Sequence, residues 1–276
     1  MTAKFEYPSW LRVDPANFRL ADVDPNHRLD SEGQRLKRKE AQRMHEANVE
    51  ALDKLQFLMH AEGKRSLLVA FQAIDSGGKD GAIRRVFGPL NPQGVRVRSF
   101  KVPSSLERAH DFLWRVHHVT PRRGEIKIYN RSHYEDVLVV RVKDLVPEPV
   151  WRKRYTHINN FEDLLNDNDT LVLKFLLHIS KDEQRERLQE RLDNPDRHWK
   201  FSKADLVERK AWDAYQEAFE EAVIKTSTER APWYVIPANR KWFRNYAIST
   251  IVRQTLEAQH MSFPQAEQDL EGLVVT

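Results

Sequence analysis

One stretch constrains the fold more than any other: an apolar run at 67–71 is followed at once by a turn rich in glycine and containing a lysine, at 75–81. An unbroken apolar run is typical of a strand buried on both faces of a parallel sheet. Glycines let successive backbone N–H groups point inward, a helix N-terminus adds partial positive charge, and a lysine can reach outer phosphates. The order strand, glycine-rich turn, lysine and helix therefore predicts a phosphate-binding loop.

The turn differs at two positions from the common pattern G-x-x-x-x-G-K-[ST]. Ala73 replaces the first glycine, and Asp80 replaces the Ser or Thr whose hydroxyl holds Mg²⁺. The metal then needs another ligand, and Asp75 is the candidate, because a carboxylate in the loop would repel phosphate unless a cation intervened. The alternative is an exposed turn in which Gly77 and Gly78 only supply positive φ and Asp75 caps the helix.

Length and composition exclude several classes of protein. The 276 residues suffice for one sizeable core with an appendage, and they include no cysteine. No apolar run approaches the ~20 residues of a membrane span, and the N-terminus lacks a signal-peptide pattern. We therefore expect a cytoplasmic protein without disulfides and without a membrane partner. The formal net charge of +4 is too small for a dedicated nucleic-acid binder, although it is compatible with a local basic groove.

The rest of the chain predicts strands that alternate with helices. Further short strands are predicted at 95–100, 126–129, 170–179 and 233–236, and helices at 31–62, 81–87, 104–118, 146–165, 181–192, 204–225 and 240–258. This alternation indicates parallel βαβ units in a three-layer α/β/α sandwich. Residues 1–32 have scattered prolines and no period, which predicts an irregular arm wrapping the core.

The predicted chain organisation has two parts. Residues 1–62 form the N-terminal arm and an amphipathic helix, and residues 63–276 form a phosphotransferase domain with a lid at about 187–210. The helix either covers its own domain or binds a partner, and we expect the first. The basic segment 187–201 resembles the lid of P-loop kinases, which closes over phosphates and excludes water. A solvated helix face is the alternative for each of its arginines.

Polar side chains follow the predicted strands at their carboxyl ends, where open parallel sheets bind ligands. Lysine, arginines and carboxylates that converge there suit phosphoryl transfer, since cations neutralise the phosphoryl oxygens. Arg131 would lie beside the loop if the first and third strands are neighbours; a structural ion pair with Glu135 or Asp136 is the alternative. Glu135 could hold metal, orient a phosphate or cap a helix. We interpret His133 as a packing or hydrogen-bonding residue, because in-line transfer needs no covalent intermediate.

Four segments together resemble the polyphosphate kinase 2 family. They are QAIDSGGKDG at 72–81, YNRSHYEDVLV at 129–139, RLDNP with HWKF at 191–201, and APWYVIPA with KW at 231–242. They occur in order and at compatible spacing between about residues 61 and 256. The resemblance implies a P-loop kinase fold like that of thymidylate kinases, with a helical lid, and Mg²⁺-dependent phosphoryl transfer between inorganic polyphosphate and a nucleotide.

Matching positions imply a role for each candidate residue. By that resemblance, Asp75 would bind the metal, Lys79 would hold the phosphates and Arg131 would stabilise the transferring charge. The full set of expected site residues is Asp75, Lys79, Arg131 and Glu135 for catalysis, Gly77, Gly78, Lys79, Asp80, Gly81, Arg84 and Lys101 for phosphate binding, Asn130 and Arg131 for the nucleotide, and Arg187, Arg191 and Lys200 in the lid.

Asn130 and Glu135 stand where many family members carry Asp and Asn, and this combination resembles the class III branch, whose members accept both AMP and ADP. We therefore expect conversion of AMP to ADP and of ADP to ATP, by a homo-oligomer (a dimer or a tetramer). An ATP-dependent small-molecule or nucleoside kinase of the same fold is one alternative. A polyanion-binding protein with an inactive loop is another, which Asp75 and Lys79 disfavour, because a pure binder gains nothing from a metal-holding carboxylate.

Overall fold

The computed structural model describes residues 11–266 and Val274, and five strands in this part of the chain form one parallel sheet. The strands are β1 (Ser66–Gln72), β2 (Val95–Ser99), β3 (Ile126–Asn130), β4 (Thr170–His178) and β5 (Trp233–Pro237). Their spatial order is β2-β3-β1-β4-β5. The five strands predicted from the sequence are confirmed. Because Phe71 of β1 lies opposite Asn130 of β3, the two strands end at the same edge of the sheet.

Helices cover both faces of this sheet. In chain order they are α1 (Arg38–Glu62), α2 (Lys79–Val86), α3 (Ser105–Arg108), α4 (Trp114–His117), α5 (Glu135–Val142), α6 (Glu148–Asp167), α7 (Lys181–Asp193), α8 (Lys203–Lys210), α9 (Trp212–Thr226) and α10 (Lys241–Glu257). None of the helices in the described residues combines the length and apolar character needed to cross a bilayer.

Side chains of β1 alternate between two cores, as the pleat of a strand requires. Val69 belongs to the larger core, together with Leu52 of α1 and Ile251 of α10. Ala70 belongs to the second core, together with Phe161 of α6. The sheet is therefore covered on both sides, and the predicted three-layer α/β/α sandwich is confirmed.

The prediction of one helix at 104–118 is wrong, because the structure has two one-turn helices there, α3 and α4. Ser104 begins α3 with a capping box, in which the Glu107 N–H donates to Ser104 Oγ (3.2 Å) and the Ser104 N–H donates to Glu107 Oε2 (2.7 Å). The helix nevertheless ends after one turn. Asp111 interrupts it, because Asp111 Oδ1 accepts a hydrogen bond from the Leu113 N–H (2.9 Å) and so competes with helical hydrogen bonding.

Two other predicted helices differ from the structure, and one helix was not predicted. The helix expected at 31–62 begins only at Arg38, since the chain before it pairs Leu29 with Arg35 in an isolated antiparallel bridge. The helix expected at 204–225 is divided at Ala211 into α8, which buries no residue, and α9, which turns Trp212 and Tyr215 into the core. Helix α5 was not predicted, because its apolar run was not recognised as helical.

The described part of the N-terminal arm covers an edge of the sheet. The Val13 N–H donates to the Trp233 carbonyl (2.9 Å), so the arm runs antiparallel to the outer edge of β5. Helix α1 packs on α10, where Asn48 Nδ2 donates to Thr250 Oγ1 (2.9 Å). The helix thus covers its own domain, as expected. Residues 1–10 of the predicted arm lie outside the described residues, and the division at residue 62 stays a prediction.

Candidate active site

The turn between β1 and α2, here called the glycine loop (residues 73–81), has the shape of an anion cradle. Ser76 (φ 64°) and Gly78 (φ 101°) take left-handed conformations, which reverse the direction of successive peptide groups. At Gly77 a Cβ atom would lie 2.5 Å from the Cβ of Ala73, so no larger residue fits. The first N–H groups of α2 have no acceptor within the helix, and they are available to an anion.

Lys79 opens α2 and is buried, with 9% of its surface exposed. Its Nζ donates to the Ala73 carbonyl (3.0 Å). Burial, and next the positive charge of Arg131, lower the pKa of Lys79 to about 8, although Asp75 and Glu135 act in the opposite direction. Lys79 forms no ion pair within the described residues, and a cation with so little water around it is stabilised by an anionic ligand.

Arg131 links the glycine loop to the end of β3. Its Nη2 donates to Asp75 Oδ1 (2.6 Å) and its Nη1 donates to Glu135 Oε2 (3.2 Å). Burial acts in the opposite direction, but Glu135 and then Asp75 raise the pKa of Arg131 above its usual value. The backbone of Arg131 is left-handed (φ 60°), which strains a residue other than glycine. Three of the residues singled out from the sequence are therefore in contact.

The ion pair of Arg131 with Asp136, one alternative from the sequence, does not form. Asp136 pairs instead with Arg154 (3.1 Å) and Arg115 (3.5 Å) on the other side of α5. Burial raises the pKa of Asp136, and the two arginines oppose that effect.

Residues of the predicted lid approach the first turn of α2. Asn130 Nδ2 donates to Asp80 Oδ1 (2.7 Å), and Lys200 Nζ lies 3.8 Å from Asp80 Oδ2. Arg191 Nη1 donates to the Lys200 carbonyl (3.3 Å) and lies 3.4 Å from Asp205 Oδ2. Asp205 was not singled out from the sequence. The segment after α7 thus reaches the phosphate end of the glycine loop.

One cleft of about 2530 Å³ contains all the site residues expected from the sequence. Arg84 and Lys101 are exposed at its rim. Arg187 differs from expectation: it lies under the glycine loop, 7% exposed, and not in the lid. Its Nη1 donates to the carbonyls of Ser76 (3.0 Å) and Gly77 (3.1 Å). The reason is its place in the middle of α7, on the helix face that also buries Gln184 and Leu188.

The sequence reasoning missed Arg244 of α10, which is 3% exposed and donates through Nη1 to the Gly78 carbonyl (3.0 Å). The only signal available was an arginine within the apolar pattern of a helix. That pattern does not tell whether the arginine is buried or exposed.

His133 is fully buried, and its Nε2 lies 3.1 Å from Glu162 Oε1. The Tyr134 hydroxyl donates to the same oxygen (2.8 Å), and Lys174 Nζ donates to Glu162 Oε2 (2.5 Å). This agrees with the interpretation of His133 as a hydrogen-bonding residue. The network lies behind the segment that carries Arg131 and anchors it to α6 and β4.

Within the described residues, no group of three or more histidines and carboxylates could hold a metal ion by itself. Asp75 nevertheless fits a metal that arrives with phosphates. Its side chain is 25% exposed, and Arg131 engages Oδ1 while Oδ2 has no hydrogen-bond partner among the described residues. Mg²⁺ keeps several waters and takes one or two carboxylates together with substrate phosphates.

Comparison with known proteins identifies the family of this chain. The sequence model of the family "Polyphosphate kinase 2 (PPK2)" matches residues 35–264. The chain is 56% identical over 265 residues to the AMP/ADP-polyphosphate phosphotransferase of Meiothermus ruber, covering 96% of this chain and 98% of the relative. It is 46% identical over 229 residues to the ADP-polyphosphate phosphotransferase of Rhodopseudomonas palustris, covering 79% of each. The crystal structure of polyphosphate kinase 2 from Arthrobacter aurescens TC1 superposes with a TM-score of 0.91 at 39% identity, covering 96% of this chain and 94% of that one. The chain therefore belongs to the polyphosphate kinase 2 family.

Proposed function

We propose that this protein transfers phosphoryl groups between inorganic polyphosphate and nucleotides, converting AMP to ADP and ADP to ATP with Mg²⁺ as cofactor. The relative from Meiothermus ruber, whose name includes both AMP and ADP, supports the substrate range, because the similarity extends over 96% of this chain. The observation that carries the chemistry is Arg131, held between Asp75 and Glu135 beside the glycine loop.

The residues at and beside the glycine loop each have a proposed task in this transfer. Lys79 and the N–H groups of the glycine loop bind phosphate oxygens. Arg131 neutralises the charge that is spread over the transferring phosphoryl group, and Glu135 fixes the guanidinium through its 3.2 Å hydrogen bond. Mg²⁺, when bound through Asp75, supplies further positive charge to the phosphate oxygens.

The lid and the nucleotide residues position the reactants. Asn130, which bonds Asp80 at the edge of the sheet, is proposed to contact the nucleotide. Arg191 and Lys200 approach the same edge from the segment after α7 and are proposed to close over the phosphates. Closure excludes water, which would otherwise compete with the nucleotide as acceptor.

The decisive assay measures ATP formation by the purified protein with Mg²⁺, long-chain polyphosphate and either AMP or ADP. ATP from both nucleotides is the expected result. ATP from ADP alone would remove AMP from the proposed substrates. No product with polyphosphate, but phosphorylation of a small acceptor when ATP is the donor, would favour the ATP-dependent kinase instead.

A substitution tests the role of Asp75. Asp75→Asn keeps the size of the side chain and removes its charge, so we expect the rate to fall at least ~100-fold, as when a charge-stabilising group is lost. The far-ultraviolet circular dichroism should not change. Asp53→Asn, at an exposed position of α1 outside the cleft, is the control and should keep full activity. Full activity of Asp75→Asn would remove it from the proposed metal site.

We also propose that the protein is a cytoplasmic homo-oligomer, a dimer or a tetramer, as the family resemblance implies. Light scattering coupled to size-exclusion chromatography measures the mass of the assembly, and a monomer at micromolar concentration would contradict the proposal.

A further inference from the structure

Two buried arginines from different helices hold the carbonyl side of the glycine loop. Arg187 of α7 donates to the carbonyls of Ser76 and Gly77, and Arg244 of α10 donates to that of Gly78. In a planar trans peptide, the N–H of the next residue points away from the carbonyl. The arginines therefore turn the N–H groups of Gly78 and Lys79 away from themselves, to the side on which an anion can bind.

The glycines of the loop let Arg244 approach the backbone. A Cβ atom at Gly78 would lie 2.4 Å from Arg244 Nη1, and one at Gly81 would lie 3.3 Å from Nη2. Glycine at position 78 is thus required twice, by its φ of 101° and by the guanidinium beside it. Arg244 can therefore approach the loop closely because residues 78 and 81 are both glycine.

Arg244 carries its charge without a carboxylate. Its hydrogen bonds in the described structure go to the Gly78 carbonyl and to Asn245 Oδ1, both neutral. Arg187, by contrast, pairs with Glu183 (2.7 Å). Burial, and then the charge of Arg187, lower the pKa of Arg244 to about 9. Buried charges are normally paired, so the free protein bears a cost here that an anion in the cleft would offset.

We propose that Arg244 is a positioning residue of the glycine loop, which fixes the Gly78 carbonyl and supplies a positive charge that is balanced only when a phosphate chain occupies the loop. Arg244 then lowers the stability of the free protein and raises its affinity for polyphosphate. The identity of the anion rests on the proposed function. The positioning of the loop carbonyls rests on the contacts of Arg187 and Arg244.

The test uses Arg244→Gln, which removes the charge but keeps an amide that can donate to Gly78. The probe is inorganic tripolyphosphate with Mg²⁺ and no nucleotide, with affinity measured by isothermal titration calorimetry and stability by thermal unfolding. The variant loses the attraction between a buried positive charge and the bound phosphates, which predicts an affinity about 10-fold weaker or more. The unfolding temperature of the free variant should stay the same or rise, and the stabilisation by tripolyphosphate should shrink. In the full assay, the KM for polyphosphate should increase by a larger factor than kcat decreases.

The matched control is Arg43→Gln on α1, an exposed arginine outside the cleft, which should change neither quantity. Arg244→Lys keeps the charge and should bind tripolyphosphate more tightly than Arg244→Gln; it also carries the test if the glutamine variant does not fold. The proposal would be overturned if the lysine and glutamine variants bound tripolyphosphate equally well. It would also be overturned if Arg244→Gln lowered the unfolding free energy of the free protein by as much as it lowered the binding free energy, since Arg244 would then have only a structural role. Wild-type protein that fails to bind tripolyphosphate would contradict the proposed function itself, whereas wild-type binding that Arg244→Gln leaves intact would contradict only this inference.

Discussion

Lys79 offers the sharpest test of the electrostatic reasoning, because the residue that we propose to bind phosphate should destabilise the free protein. Its pKa is near 8 instead of 10.5, chiefly because burial disfavours the charged form. At about 1.4 kcal/mol for each tenfold change in proton affinity, the charge at neutral pH costs the folded state about 3 kcal/mol. Lys79→Met removes that cost with a side chain of similar length.

The net gain is smaller than the electrostatic term, since the variant loses the 3.0 Å hydrogen bond from Nζ to the Ala73 carbonyl. Such a bond contributes about 1 kcal/mol. We therefore expect the free energy of unfolding to rise by about 2 kcal/mol and the unfolding temperature by roughly 4 °C. The same variant should form no measurable ATP from polyphosphate.

The pH dependence separates this explanation from better packing by methionine. Lysine in the folded wild type loses its proton from about pH 8 upward, while the unfolded chain keeps it until about pH 10.5. In that window the unfolded state binds more protons, so the stability attributable to Lys79 rises with pH. The gain of about 2 kcal/mol from Lys79→Met, measured by urea unfolding at pH 7, should disappear as the pH rises to 10.5, where the lost hydrogen bond leaves the variant slightly less stable than wild type.

The control is Lys225→Met, which removes an exposed lysine outside the cleft and should leave the unfolding free energy unchanged at every pH. A Lys79→Met variant that is less stable than wild type at pH 7, or whose advantage does not depend on pH, would refute the claim that Lys79 bears an uncompensated charge.

Two further substitutions test the surroundings of the site. Lys174→Met should reduce the free energy of unfolding by about 3–5 kcal/mol in urea titrations, because it removes the lysine that balances the buried charge of Glu162. Lys174→Met combined with Glu162→Gln should lose less, and an additive loss would show that the two residues are not coupled. Gly78→Ala should lower stability by about 1 kcal/mol or more through its left-handed backbone and should abolish ATP formation, since the new methyl group meets Arg244; normal activity would contradict the close contact.

The fold was largely predictable because its signals are local in the sequence. Strand β1 is buried at every position and β4 at nearly every position, so both appear as apolar runs. Strand β2 is mostly exposed at the edge of the sheet, and it was still found because it lies between turn signals. Gly63 correctly predicted the end of α1, because it is the C-terminal cap of that helix and adopts φ 63°.

The errors arose where tertiary contacts decide local structure. Arg187 was assigned to the lid because it begins the basic segment 187–201, which resembles the lid of P-loop kinases. Here four backbone carbonyls and the Glu183 carboxylate compensate for its burial. Arg244 has no distinguishing sequence signal, since its partners are the loop about 165 residues earlier and its neighbour Asn245. The break at Asp111 depends on one side-chain hydrogen bond. Composition and periodicity carry none of this information.

The net charge of +4 was likewise a poor guide to the site. Arg131 is neutralised by two carboxylates, so it adds little to the field in the free protein. In the part of the chain that the structure describes, Lys79 and Arg244 form no ion pair with a carboxylate, and for both the pKa falls first through burial and next through a neighbouring arginine. The uncompensated charge is therefore concentrated on the two sides of one short loop. Phosphates bound there would balance both cations at once, which explains why a nearly neutral chain can bind a highly charged polyanion.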